Sequence, residues 1–139
     1  VLGEGWRELD RNVMGEWYTY LILGYGINPA AQIEDEVAAE AAYGWGGDTY
    51  LVYTNDASGQ TVVVMRSTWE SSRDAGEFTD AFHDYAEGRF GVDTQGPASA
   101  MTWTFSDGYS TFQRSDLETT WVLAPDAATA ELVLQALGQ

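Results

Sequence analysis

The chain is most constrained at Gly44-Trp45-Gly46-Gly47-Asp48, where two opposed backbone preferences meet. Before this stretch, Glu34 to Tyr43 is rich in Ala and Glu and contains neither Gly nor Pro, which favours helix. After it, Thr49-Tyr50-Leu51-Val52-Tyr53-Thr54 is β-branched and aromatic, which favours strand. The glycines admit backbone angles that a Cβ makes costly, so the segment reads as a tight corner with Gly44 as the helix stop. Trp45, inside the corner, reads as a ring that pins the turn onto a core; the functional alternative is a shallow ligand pocket between Trp45 and Asp48. No G-x-G-x-x-G or Walker pattern accompanies it, so phosphate cradling is not supported.

At 139 residues, 45% hydrophobic and 14% aromatic, the chain suits a single domain with its own core. A formal charge of -16 arises from 22 acidic residues against 6 basic ones, all of them Arg. Such a surface repels nucleic acid and anionic membranes, so neither is an expected partner. It also suits high ionic strength, where screening removes self-repulsion. A halophilic source and a GC-rich genome both account for Arg in place of Lys. The absence of cysteine excludes disulfides, thiolate chemistry and Cys-type zinc sites. No apolar run reaches the roughly 20 residues of a membrane span. Val1 is not an initiator Met and heads no signal-like segment, so the chain is expected to be a fragment or processed product.

In chain order, Leu9 to Leu23 reads as a first helix, left at Gly24-Tyr25-Gly26, with Leu9, Val13, Glu16, Tyr20 and Gly24 on one stripe. From Met14 onward Trp17, Tyr18, Leu21, Ile22 and Leu23 make that helix apolar on almost every side. A domain this small rarely surrounds a helix, so part of it is expected to meet another domain or subunit. A second helix runs from Ala30 or Glu34 to Tyr43. Strands at 49–54 and 61–69 flank a hairpin turn at Asn55 to Gln60, and the mixed faces of the second predict cover on both sides of the sheet. Ser71 N-caps a third helix with Ala75, Phe78, Phe82, Tyr85 and Ala86 as its core stripe, ending at Gly88 or Gly91. Strands at 101–105, 109–114 and 119–123 follow, and Pro125-Asp126 opens a last helix with the stripe Ala127, Ala130, Leu134, Leu137. The order ααββαβββα predicts one α+β domain over residues 1–139, an antiparallel or mixed sheet packed against helices.

Glu16 is the first chemical candidate, because a carboxylate among apolar neighbours is a potential general acid or base, here in a pocket walled by Trp17, Tyr20 and Trp45. Its structural alternative is an ion pair with Arg66 or Arg114, or a hydrogen bond to a buried tyrosine. His83 shares a helix face with Asp80 and Glu87, a spacing that suits a metal and also arises by chance on a solvated face. No H-E-x-x-H, G-x-S-x-G or EF-hand pattern is present, and no cofactor is implied. Trp45, Trp69, Trp103 and Trp121 either line a sugar or peptide groove or build the core.

Three stretches carry a resemblance: Leu2-Gly3-Glu4-Gly5-Trp6 through Met14-Gly15-Glu16, Ala41-Ala42-Tyr43-Gly44-Trp45-Gly46-Gly47-Asp48, and Trp69-Glu70-Ser71-Ser72-Arg73-Asp74-Ala75-Gly76-Glu77-Phe78. Together they resemble the C-terminal part of an uncharacterised family of exported bacterial and haloarchaeal proteins, over about residues 1 to 80. That resemblance implies an upstream H-E-x-x-H region similar to zinc metallopeptidases, so no metal ligand carries over to this chain. It further implies an extracellular or cell-surface location. The expected role is a non-catalytic accessory or peptide-binding domain that packs on the upstream domain, or self-associates, through its first helix. A small enzyme using Glu16 and a surface-layer building block are the alternatives.

Overall fold

A computed structural model describes residues 2–139; the reading made at Val1 lies outside them. The elements are β1 (Trp6–Asn12), α1 (Gly15–Tyr25), a 3-10 turn (Pro29–Ala31), α2 (Asp35–Tyr43), β2 (Trp45–Asn55), β3 (Thr61–Trp69), α3 (Ser72–Phe90), β4 (Ala100–Phe105), β5 (Gly108–Ser115), β6 (Glu118–Ala124) and α4 (Ala127–Leu137). The class is α+β, and the expected order holds with one strand added at its head. All six strands are antiparallel, ordered β1-β2-β3-β6-β5-β4. α3 carries the chain from β3 to the far edge, and two hairpins bring it back to pair β6 with β3.

Alternation along the strands sorts side chains onto two faces, and helices cover both. On one face the register aligns Met65, Trp121, Phe112 and Met101 across four strands. Against that row α3 lays Phe78, Phe82 and Tyr85, with α1 and α2 completing the layer. On the other face Val62, Val64, Val122 and Ala124 meet Ala130, Val133 and Leu134 of α4. The third-helix stripe is buried as expected, whereas Ala127 of the α4 stripe is exposed.

The first helix is the main correction. Leu9 and Val13 do not belong to it: Trp6–Asn12 is an edge strand paired with β2, and α1 begins at Gly15. With Arg7, Glu8, Asp10 and Arg11 in seven residues, β1 has the charged composition that keeps an open sheet edge from pairing with other chains. It is held by Tyr50, which donates to Asp10 at 2.8 Å, and by the Arg7–Asp56 ion pair at 2.7 Å.

The glycine corner is also tighter than expected. Gly44 stops α2, but β2 starts at once with Trp45, which pairs with Trp69. Gly44 has φ -83°, so conformational freedom is not why it is glycine. A Cβ there would lie 2.2 Å from Cβ and Cγ of Asp74, at the first turn of α3. Gly44→Ala is therefore expected to cost about 1–2 kcal/mol through overpacking, read as a lower urea midpoint with an unchanged slope. Gly88 is likewise a close approach rather than a stop, since its Cβ would fall 2.0 Å from the Ala30 carbonyl. α3 runs on to Gly91, which takes the left-handed conformation at φ 67° and ends it.

Candidate functional site

Met14 precedes α1 and offers no side-chain oxygen to the orphan N–H groups of the helix start. Asp48, 34 residues away in β2, supplies it. Its carboxylate accepts from the Met14 N–H at 2.6 Å, the Gly15 N–H at 2.8 Å and the Trp45 indole at 2.8 Å. The Trp45–Asp48 pair, read as a potential pocket, is thus a knot whose polar groups are already engaged with one another. It fixes where α1 leaves the sheet.

From that anchor α1 packs on α2 through small residues. A Cβ on Gly24 would be 3.2 Å from that of Ala38, and Thr19, Leu23, Ala38, Ala41 and Ala42 are buried. Close packing of one side leaves the opposite side bare. The encirclement that an all-round apolar helix implies is not provided: Trp17 is 65% exposed and Tyr18 and Tyr25 are exposed with it. Tyr43, at the end of α2, is 75% exposed.

Between the two helices Glu16, Trp17, Tyr20, Ala39, Ala42 and Tyr43 line a shallow groove of about 560 Å³. The sequence-predicted residues Glu16, Trp17 and Tyr20 are brought together here, while Trp45 and Asp48 lie outside it. Trp17 stands 5.4 Å from Tyr20, and Tyr20 5.4 Å from Tyr25, ring centre to ring centre. Both tyrosine hydroxyls donate to one oxygen of Asp35. These bonds, Tyr20's first, hold the Asp35 carboxyl below its usual range, and the same carboxylate pushes the Tyr20 hydroxyl upward. Tyr43, Tyr25 and Asp35 were not singled out from the sequence, because their role depends on how α1 lies against α2.

Glu16 is exposed: the enclosing apolar stripe is not realised, because Leu9 lies in β1 and Val13 in the connection before α1. Neither suggested arginine pairs with it. Arg66 meets Glu118 at 3.4 Å, and Arg114 donates to the Ser72 carbonyl at 2.6 Å.

His83 lies beside a second hollow, of about 470 Å³, with Asp80, Asp84 and Thr94. Its Nδ1 is 2.9 Å from Asp84, and its Nε2 3.6 Å from Glu87. Glu87 in turn accepts the Thr94 N–H at 2.8 Å, a bond that fixes the loop after α3 and lowers the Glu87 pKa. Among the described residues, no three His, Asp or Glu side chains come close enough to hold a metal, so Asp80, His83 and Glu87 share a face without converging.

Trp69, Trp103 and Trp121 resolve toward the core. Each is buried, and each indole donates to a hydroxyl: Thr119 at 3.0 Å, Thr94 at 2.9 Å and Ser110 at 2.8 Å respectively. No helix of the described residues is long and apolar enough to cross a membrane.

No curated protein and no solved structure matches this chain. One family model does, over residues 4–134, and the span takes in β1, the Asp48 knot and the α1–α2 groove. The chain belongs to the family described as the domain of unknown function DUF8575.

Proposed function

We propose that this domain is a non-catalytic docking module of a secreted or cell-surface protein, and that its α1–α2 face is the surface that docks. The observation that carries the reading is the uneven fate of the aromatics. Trp69, Phe78, Phe82, Trp103, Phe112 and Trp121 are buried, while on α1 and α2 Trp17, Tyr25 and Tyr43 are exposed, Trp17 and Tyr25 each meeting Tyr20 and Tyr43 sharing the groove of Trp17 and Tyr20. Isolated exposed apolar residues are ordinary, but a contiguous aromatic strip is the usual mark of an interaction surface. The upstream peptidase-like domain implied by the family resemblance is the partner this reading favours. The alternative, an enzyme using Glu16 as acid or base, has in its favour only that Glu16, Trp17 and Tyr20 share a groove. That groove is open to water, which weakens the charge stabilisation such chemistry requires.

Nile red, an uncharged hydrophobic dye, tests the docking face without the repulsion that an anionic dye would meet. The native protein is expected to brighten it, and Trp17→Ala/Tyr43→Ala to reduce the signal several-fold with an unchanged circular dichroism spectrum. A native protein that leaves the dye dark would defeat the reading.

A further inference from the structure

Resting on that reading, we infer that the α1–α2 groove takes a cationic polypeptide segment, in which arginine or lysine side chains alternate with apolar ones. Three observations converge on this occupant.

The first is the distribution of charge along the chain. Between Arg11 and Arg66 there is no basic side chain at all, while Glu16, Glu34, Asp35, Glu36, Glu40, Asp48 and Asp56 all fall in that interval. α1, α2 and the whole groove lie within it.

The second is that the protein's own arginines are engaged elsewhere. Arg7, Arg11, Arg66 and Arg73 are paired with carboxylates, Arg89 donates to the Tyr85 hydroxyl, and Arg114 donates to the Ser72 carbonyl. None reaches the groove. None of the six arginines therefore offsets the negative field over α1 and α2, and that field favours a positive partner.

The third is the shape and chemistry of the surface. Trp17, Tyr20 and Tyr43 line the groove together with two small side chains, Ala39 and Ala42, and one carboxylate, Glu16. Glu36 and Glu40 are exposed on α2, at helical spacing from Ala39 and Tyr43. A guanidinium or ammonium over an aromatic ring, with a carboxylate in reach, gains from both. The small Ala39 and Ala42 side chains leave room for its aliphatic stem.

The same observations argue against a second copy of this chain. A copy also carries a charge of -16, and its arginines are engaged in its own fold. The aromatic strip extends from Trp17 through Tyr20 to Tyr25, longer than one side chain spans, which favours a segment over a single small amine.

The test uses fluorescence anisotropy with a labelled peptide alternating arginine and leucine, and its glutamate–leucine counterpart, at low salt. The native protein is expected to bind the first and not the second, with affinity falling as salt rises. Trp17→Ala/Tyr43→Ala leaves the net charge unchanged and is expected to weaken binding about tenfold. Ala39→Arg, at an exposed position, is expected to do the same by filling the groove with a like charge. Glu16→Gln/Glu36→Gln, which removes the carboxylate lining the groove and the exposed one a helical step from Ala39, should weaken binding more than Asp93→Asn/Asp107→Asn, which removes equal charge from loops outside the groove. Circular dichroism confirms that each variant is folded.

Native affinity in Trp17→Ala/Tyr43→Ala, or equal losses in the two charge-removing pairs, would overturn the inference and leave only bulk attraction. Equal binding of both peptides would overturn it too, yet leave the docking face standing. Nile red separates the two claims. A dark dye sinks the docking reading, whereas a bright dye without peptide binding sinks only the cationic partner.

Discussion

Phe82→Ala is expected to lower the unfolding free energy by about 4 kcal/mol, the largest loss anticipated for a single substitution in this domain. Phe82 is 2% exposed and lies where the α3 stripe meets the sheet. It stacks on Phe112 with ring centres 4.7 Å apart and meets Trp121 edge-on at 5.2 Å and Trp103 at 5.9 Å. Phe78 and Tyr85 flank it along α3 at 5.9 and 5.5 Å. Truncation to Ala removes the transfer energy of the ring and leaves a cavity. Rings fixed by their own hydrogen bonds cannot collapse into it: the Trp103 and Trp121 indoles are tied to Thr94 and Ser110. Urea is the denaturant for the measurement, because guanidinium chloride would also screen the charge of -16 and confuse two effects. A midpoint shift equivalent to less than about 1.5 kcal/mol would show that the core does close round the gap.

How far this fold was legible follows from where its causes lie in the chain. β3, the Asn55–Gln60 hairpin turn, the Ser71 cap and the α3 stripe are written locally, in alternation, capping residues and helical spacing. β1 is not. Its residues carry no strand pattern, and its pairing is decided by β2 and the turn after it, where Tyr50 and Asp56 hold it from some 40 to 50 positions away. Once β1 claims Leu9, the helical stripe around Glu16 dissolves. The glycine corner was found for a partly mistaken reason, since Gly44 answers to Asp74 of α3 and not to its own backbone angles. The groove was half legible. Glu16, Trp17 and Tyr20 announce themselves by clustering along α1, but Tyr43 joins them, and Asp35 receives the Tyr20 hydroxyl, only because Gly24 and Ala38 let the two helices close together.

Asp48→Ala ties the fold to the groove most directly, and it is expected to cost about 3 kcal/mol. One carboxylate satisfies two N–H groups at the start of α1 and the Trp45 indole. Loss of an ordinary helix cap costs about 1 kcal/mol, and charge-assisted bonds to partly buried donors roughly double or triple that. The methionine before α1 cannot substitute, so the first turn should fray and carry Glu16 and Trp17 with it. Amide hydrogen exchange is expected to accelerate at Gly15 to Thr19 well before the α3 core opens, with Nile red and peptide binding falling in parallel. Asp48→Asn sharpens the result. Its single oxygen can face either Met14, or Gly15 with Trp45, but its amide must then oppose a donor. An intermediate loss follows if the number of accepted bonds governs the anchor. If Asn costs as much as Ala, the negative charge at the helix start is the decisive element, and the anchor works through the helix dipole rather than through geometry.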